Sequence, residues 1–208
     1  MTDMQTLDRT AVLGPQKLGP LTPLVGEWEG DLGVDLSYHN NDDVTGQTTY
    51  FETAAFKPIP IQENGQQVLW GLNYSMTAWR HGEEAMDPFH DEIGFLLWDK
   101  ANGQVIRNVV FGRGIAILAG GDAAIGDRTL HFNATPGDPC YGILQNRYLL
   151  DRAEIKRFSS SFTLNDDGTL SYTSDLLLRL AATGSEMHHT DENTLHRVKR
   201  FHPGAEQA

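Results

Sequence analysis

The chain has 208 residues, 39% of them hydrophobic and 21% charged, which fits one globular domain and argues against wholesale disorder. Asp and Glu number 28 against 16 Lys and Arg, a formal net charge of −12; nucleic acid and anionic lipid both call for a basic footprint, so neither is expected as a partner. The longest aliphatic stretch, Ile115 to Ala119, is too short to span a bilayer, the first residues lack a charged-then-apolar secretory pattern, and the single cysteine, Cys140, allows no intrachain disulfide, so a cytoplasmic protein is expected.

In chain order, residues 1–17 read as a weakly ordered lead-in, 18–201 as the folded domain and 202–208 as a tail. Within the domain the dominant signal is alternation with period two. Val68, Trp70, Leu72, Tyr74, Met76 and Ala78 are apolar, with Gly71, Asn73, Ser75 and Thr77 between them. A helix would scatter these side chains around its circumference, whereas a strand puts them on one face. About ten segments read as strands: 25–32, 48–57, 67–80, 89–99, 104–112, 114–119, 128–134, 154–165, 169–180 and 186–199. Turn signals such as Asn165-Asp166-Asp167-Gly168 separate them, and no stretch carries a helical stripe over three turns. Short turns between consecutive strands favour an antiparallel meander. The expected fold is therefore all-β, an up-and-down β-barrel of about ten antiparallel strands, with a two-sheet sandwich as the rival. A barrel of that size should enclose a ligand cavity.

Three features carry chemistry. In Gly26-Glu27-Trp28-Glu29-Gly30 the indole of Trp28 can plug one barrel end, with Arg197 or Lys199 from the last strand lying across it; an ordinary core aromatic is the plain alternative. In Pro88-Phe89-His90-Asp91-Glu92-Ile93-Gly94-Phe95, strict alternation places His90 on the face of Glu92, Gly94, Leu96 and Trp98, opposite Phe89, Ile93 and Phe95. A rim histidine bonded to Asp91 or Glu92 is the plain reading there. Third, Met187-His188-His189-Thr190-Asp191-Glu192 holds two adjacent histidines, which a strand must point to opposite faces. His189 shares its register with Met187 and Leu195, and His188 with Glu192 and His196, so His189 is the better candidate for the interior. A neutral imidazole in an apolar cavity is a natural axial ligand for haem iron; a hydrogen-bonded buried histidine is the alternative. His188, His189, Asp191 and Glu192 cannot all converge on one ordinary metal ion from one strand. The glycines of Gly112-Arg113-Gly114 and Gly120-Gly121 are turn residues, and Cys140, in a loop without a nearby base, has no catalytic setting.

The order Leu21-Pro23-Leu24-Gly26-Trp28-Gly30, then Pro88-His90-Glu92-Gly94-Phe95, then His189-Leu195-Arg197-Val198 is similar to the nitrobindin-like family of haem-binding β-barrels, over roughly residues 18 to 200. The resemblance implies a ten-stranded barrel of fatty-acid-binding-protein-like shape with one haem b near its mouth. It implies a proximal histidine on the last strand, a distal side with little polar help, binding of nitric oxide, and isomerisation of peroxynitrite to nitrate at ferric haem. Carried over residue by residue, His189 matches the proximal ligand and so is the metal-ligating residue, and Phe89 with His90 matches the distal pair. Without a gap the family's histidine falls on Thr190, so His189 needs a one-residue shift and His188 stays a candidate. The chain departs from the shorter relatives in a longer, more polar stretch from Asp31 to Gln47. The competing reading is an intracellular carrier of fatty acid or another small apolar ligand, with Arg107 or Arg157 holding a carboxylate. A closed barrel needs no partner for its edges, so monomer and homodimer are both compatible.

Overall fold

Alternating side chains build twelve strands in the computed structural model, which describes residues 15–39, 44–83 and 87–199. Most of the expected lead-in and all of the expected tail lie outside the described residues. The elements run α1 (Pro15–Leu18), a 3-10 turn (Gly19–Leu24), β1 (Gly26–His39), β2 (Val44–Pro58), β3 (Gln62–Glu63), β4 (Val68–Arg80), β5 (His90–Asp99), β6 (Gln104–Phe111), β7 (Ile115–Asp122), β8 (Thr129–Ala134), β9 (Ile143–Gln145), α2 (Arg147–Arg152), β10 (Ala153–Leu164), β11 (Leu170–Leu180) and β12 (Glu186–Lys199). All pairings are antiparallel, and neighbours run β2-β1-β12-β11-β10-β8-β7-β6-β5-β4. Pairing of β2 with β4, from Tyr50↔Arg80 to Pro58↔Leu72, closes the circle. The result is a closed ten-stranded barrel rather than a sandwich; short β3 and β9 are additions on β4 and β7. No described helix is long and apolar enough to cross a membrane.

Two strands outrun the sequence expectation. The sequence reading ends the first strand at 32 and begins the second at 48, yet β1 and β2 stay paired out to His39↔Val44. Backbone ladder bonds form whatever the side-chain polarity, so a hairpin can project past the apolar core. A register shift between Gly30 and Gly33 interrupts the β1 ladder. Before it the buried residues are Gly26, Trp28 and Gly30; after it they are Gly33 and Asp35. A bulge of this kind exchanges the two faces of a strand, and here it turns an acidic side chain inward.

One barrel end is plugged. Leu18, Leu21 and Leu24 of the N-terminal helical turns are fully buried beneath it. Trp28 Nε1 donates to the Leu24 carbonyl at 2.7 Å, and the Arg197 guanidinium lies 4.3 Å above the indole centroid and donates to Pro23 O. Arg197, rather than Lys199, is thus the residue across the ring. Aromatic side chains occupy the centre of the lumen: Phe162 packs edge-on to Phe56, Phe132 and Tyr172 at 5.9 to 6.0 Å. Space for a ligand inside is thereby confined to the opposite end. Gly94 marks how close the wall packs, since a Cβ there would sit 1.9 Å from the Asn108 carbonyl oxygen on β6. Backbone cannot yield as a side chain tip can. Gly94→Ala is expected to destabilise the barrel by roughly 2–3 kcal/mol in urea unfolding followed by tryptophan fluorescence.

Candidate ligand site at the barrel mouth

The unplugged end gathers the ends of β1 and β4 and the starts of β2, β5 and β12. His90 opens β5 and His189 lies near the start of β12, four strands away around the ten-strand ring. Both side chains are about one-third exposed. His188, one residue away, points outward, is 55% exposed and contacts Asp175 at 2.9 Å. Alternation along β12 therefore sorts the two histidines as the sequence predicts. Thr190 shares the outward register of His188. Trp28 belongs to the plug: it lies seven residues before Asp35 on the same strand, a separation of about 20 Å along it. The structure brings together His189, His90 and Phe89, and leaves His188, Thr190 and Trp28 out of that group.

Each imidazole is tied to a carboxylate. His189 Nε2 is 2.6 Å from Asp35 Oδ1, and Ser37 Oγ donates to Asp35 Oδ2 at 2.6 Å. Burial alone would raise the Asp35 carboxyl; the bonds from His189 and Ser37, with the charges of His189 and His90, hold it below its ordinary value. His90 Nε2 is 3.6 Å from Glu92 Oε2, and its ring packs against Phe111 at 5.7 Å. Burial lowers its pKa, but Glu92, Asp191 and Glu52 outweigh this and push it up to about 9. His90 thus presents a cationic donor at the mouth. Phe89 packs edge-on to Tyr50 at 5.6 Å under the Arg80 guanidinium.

Beneath the imidazoles lies a polar layer. Tyr50 OH donates to Asp191 and meets Tyr172 OH at 2.7 Å; Tyr172 OH and Asn193 Nδ2 donate to Glu52 Oε2 at 2.9 and 3.1 Å. Burial and the neighbouring Asp191 charge push Glu52 up to about 8; burial pushes Asp191 up to about 6. Deeper still, Arg107 Nη2 pairs with Glu92 Oε1 at 2.5 Å while Nε and Nη1 donate to Tyr74 OH and Ser160 Oγ, both at 2.8 Å. Burial would raise Glu92, but Arg107 and His90 hold it down at about 2. Of the two bases that could grip a fatty carboxylate, Arg107 is inside yet already paired, and Arg157 is outside, 3.7 Å from Asp175. Sequence reasoning missed Asp35, Glu52 and Asp191. Glu52 had a signal, since it alternates with Tyr50, Ala54 and Phe56; so had Asp191, in register with His189 and Leu195.

Partly buried Tyr38, Phe111, Ile115, Leu176 and Met187 pack against the core. Two hollows of the described surface lie along β6–β7–β9 and across β8, β10, β11 and β12, and neither is lined by His90 or His189. Fold and site together define a closed antiparallel barrel that presents an inward imidazole, backed by a carboxylate, at an apolar-rimmed mouth. The chain belongs to the THAP4-like, heme-binding beta-barrel domain family, which it matches over residues 17–197. No curated protein matches it. Among solved structures it is similar to Rv2717c from M. tuberculosis, at 21% identity, a TM-score of 0.57, and coverage of 85% of this chain and 94% of that one, a likeness of fold. The donor set fits the group that the family name prints in one respect: an inward imidazole is a donor that haem iron accepts. The fit carries one condition, because Nε2 of His189 is the nitrogen Asp35 now holds.

Two outcomes test the polar interior. Arg107→Met leaves Glu92 buried without its base and should cost roughly 3–5 kcal/mol, most of which Glu92→Met in the same chain restores, read by urea unfolding. The second concerns pH. The fold keeps Glu52 protonated up to about 8, against 4.5 ordinarily, so the folded chain holds a proton that the unfolded chain releases. Its stabilising contribution is full below pH 4.5 and falls as pH rises toward 8. Glu52→Gln keeps the acceptor for Tyr172 and Asn193 and should flatten the loss of stability between pH 5 and 8 in thermal melts.

Proposed function

We propose that this protein binds one haem b at the barrel mouth, with His189 as the axial ligand, and that the bound haem meets nitric oxide or peroxynitrite. The observation that carries the reading is the inward position of His189 on the last strand, beside the exposed and outward His188. Membership of a haem-binding barrel family supports it. Ferric haem held by one imidazole supplies an open coordination position at which nitric oxide binds or peroxynitrite isomerises to nitrate. The residues of the chain do the rest. Phe111, Leu176 and Met187 offer apolar surface that keeps water from the site. Phe89, braced on Tyr50, narrows the entrance. His90, held as a cation by Glu92, presents a positive edge that favours an anion such as peroxynitrite. Fatty-acid carriage has less support: Asp35, Glu52, Glu92 and Asp191 face the lumen, and the one buried base among the described residues is already paired.

Titration with ferric haem tests this. His189→Ala should weaken binding by more than the roughly 10–100-fold that outer-shell changes cost, with loss of the Soret band, while His188→Ala leaves both unchanged. Equal binding by parent, His189→Ala and His188→Ala defeats the ligand assignment.

A further inference from the structure

We propose that Asp35 is a latch that withholds the haem-coordinating nitrogen of His189 until a ligand displaces it. The proposal rests on the reading of His189 as axial ligand and adds a competing contact within that site. Asp35 reaches the interior only because the β1 ladder shifts between Gly30 and Gly33; in uninterrupted alternation from Trp28 and Gly30 it would face out. Its carboxylate is fixed at both ends, Oδ2 by the Ser37 hydroxyl and Oδ1 by His189, each at 2.6 Å, and it is 8% exposed. Asp35 pairs with Asp191 across β1–β12, which places His189 diagonally beside it on the same inner face.

The contact is made at Nε2, the tip nitrogen of the imidazole. Nδ1 lies next to Cβ, so a metal arriving from the lumen meets the tip. One nitrogen cannot give its N–H to a carboxylate and its lone pair to iron at the same time. Coordination would therefore exchange partners: Asp35 would lose the N–H it accepts, and the proton on Nε2 would leave for solvent or, where Nδ1 is bare, be taken up there, freeing the Nε2 lone pair. A contact to a charged acceptor must break before the iron bond forms, and that slows and weakens haem capture. Asp35 is a positioning residue here; it touches the ligand histidine and not the haem.

The experiment compares the full chain with its Asp35→Ala, Asp35→Asn and Ser37→Ala variants, using ferric haem as the probe. Stopped-flow absorbance gives the association rate, and titration gives the dissociation constant. Asp35→Ala should associate roughly tenfold faster or more and bind correspondingly tighter. Asp35→Asn, nearly isosteric and uncharged, should fall between it and the parent, and Ser37→Ala should show a smaller gain. Nitrogen-15 NMR of the haem-free parent should find His189 protonated at Nε2, with the Nδ1–H form gaining population in Asp35→Ala. Slower, weaker or unchanged capture by the two Asp35 variants overturns the latch, as does a haem-free parent whose Nε2 carries no proton. Should Asp35→Ala fail to fold, Asp35→Asn and the parent's NMR spectrum decide. If His189→Ala itself captures haem like the parent, the axial-ligand reading has failed; a His189 ring still protonated at Nε2 then shows that the contact exists but guards no ligand, and the latch falls with that reading.

Discussion

Arg107 is the one base among the buried described residues, and its pairing with Glu92 organises the inside of the barrel. Every arm of the guanidinium is used: Tyr74 on β4, Glu92 on β5 and Ser160 on β10 each take a hydrogen bond from it. Its flat faces lie against Tyr74, Phe158 and Phe162 at 5.1 to 5.7 Å. An ion pair in such a place is weak evidence for stability, because desolvation of both charges offsets much of their attraction. What it does supply is order. It fixes Glu92 as an anion, and Glu92 in turn holds the proton on His90.

The same pairing decides what remains for the mouth. With Arg107 spent on Glu92, the carboxyls of Asp35, Glu52 and Asp191 have no buried guanidinium or ammonium to answer them. They settle in different ways. Asp35 takes His189 and Ser37; Asp191 and Glu52 share the two tyrosine hydroxyls, and both rise in pKa. Two groups forced upward beside two held downward give a site whose charge responds to ligand and pH, which is the pattern expected of a functional pocket rather than of an inert core.

Much of this was legible in the sequence because a barrel wall obeys period two. The plug of Trp28 under Arg197 and the opposite facing of His188 and His189 both follow from counting along a strand. Counting fails where the ladder is irregular. The shift at Gly30–Gly33 falls in a polar run with no apolar alternation to reveal it, so Asp35 could not be placed. It fails again on β5, where Ile93 and Phe95 are exposed on the outer wall although they look like core. Both faces of that strand carry apolar residues, and Glu92 turns inward to meet Arg107 on the neighbouring strand β6. Charged residues on an inner face resist reading for the same reason: Glu52 and Arg107 alternate with core residues, yet the cost of burying a charge makes exposure the default expectation until a partner from a distant strand is known. Strand β9 and helix α2 are too short to show any period.

These constraints bear on which ligand chemistry the mouth accepts. A fatty carboxylate entering headfirst would meet Asp35, Asp191 and Glu52; the cation among them, His90, is already held by Glu92, and Arg80 lies half-exposed over Phe89 at the rim. An apolar ligand whose own carboxylates stayed at the surface would avoid that conflict, and the imidazole of His189 could supply a lone pair to a metal that such a ligand carried. Acidity of the lumen, which counts against a carrier of acids, thus counts for a ligand whose inner end is positive. The selection arises from one arginine being paired too deep in the barrel to serve anything that enters.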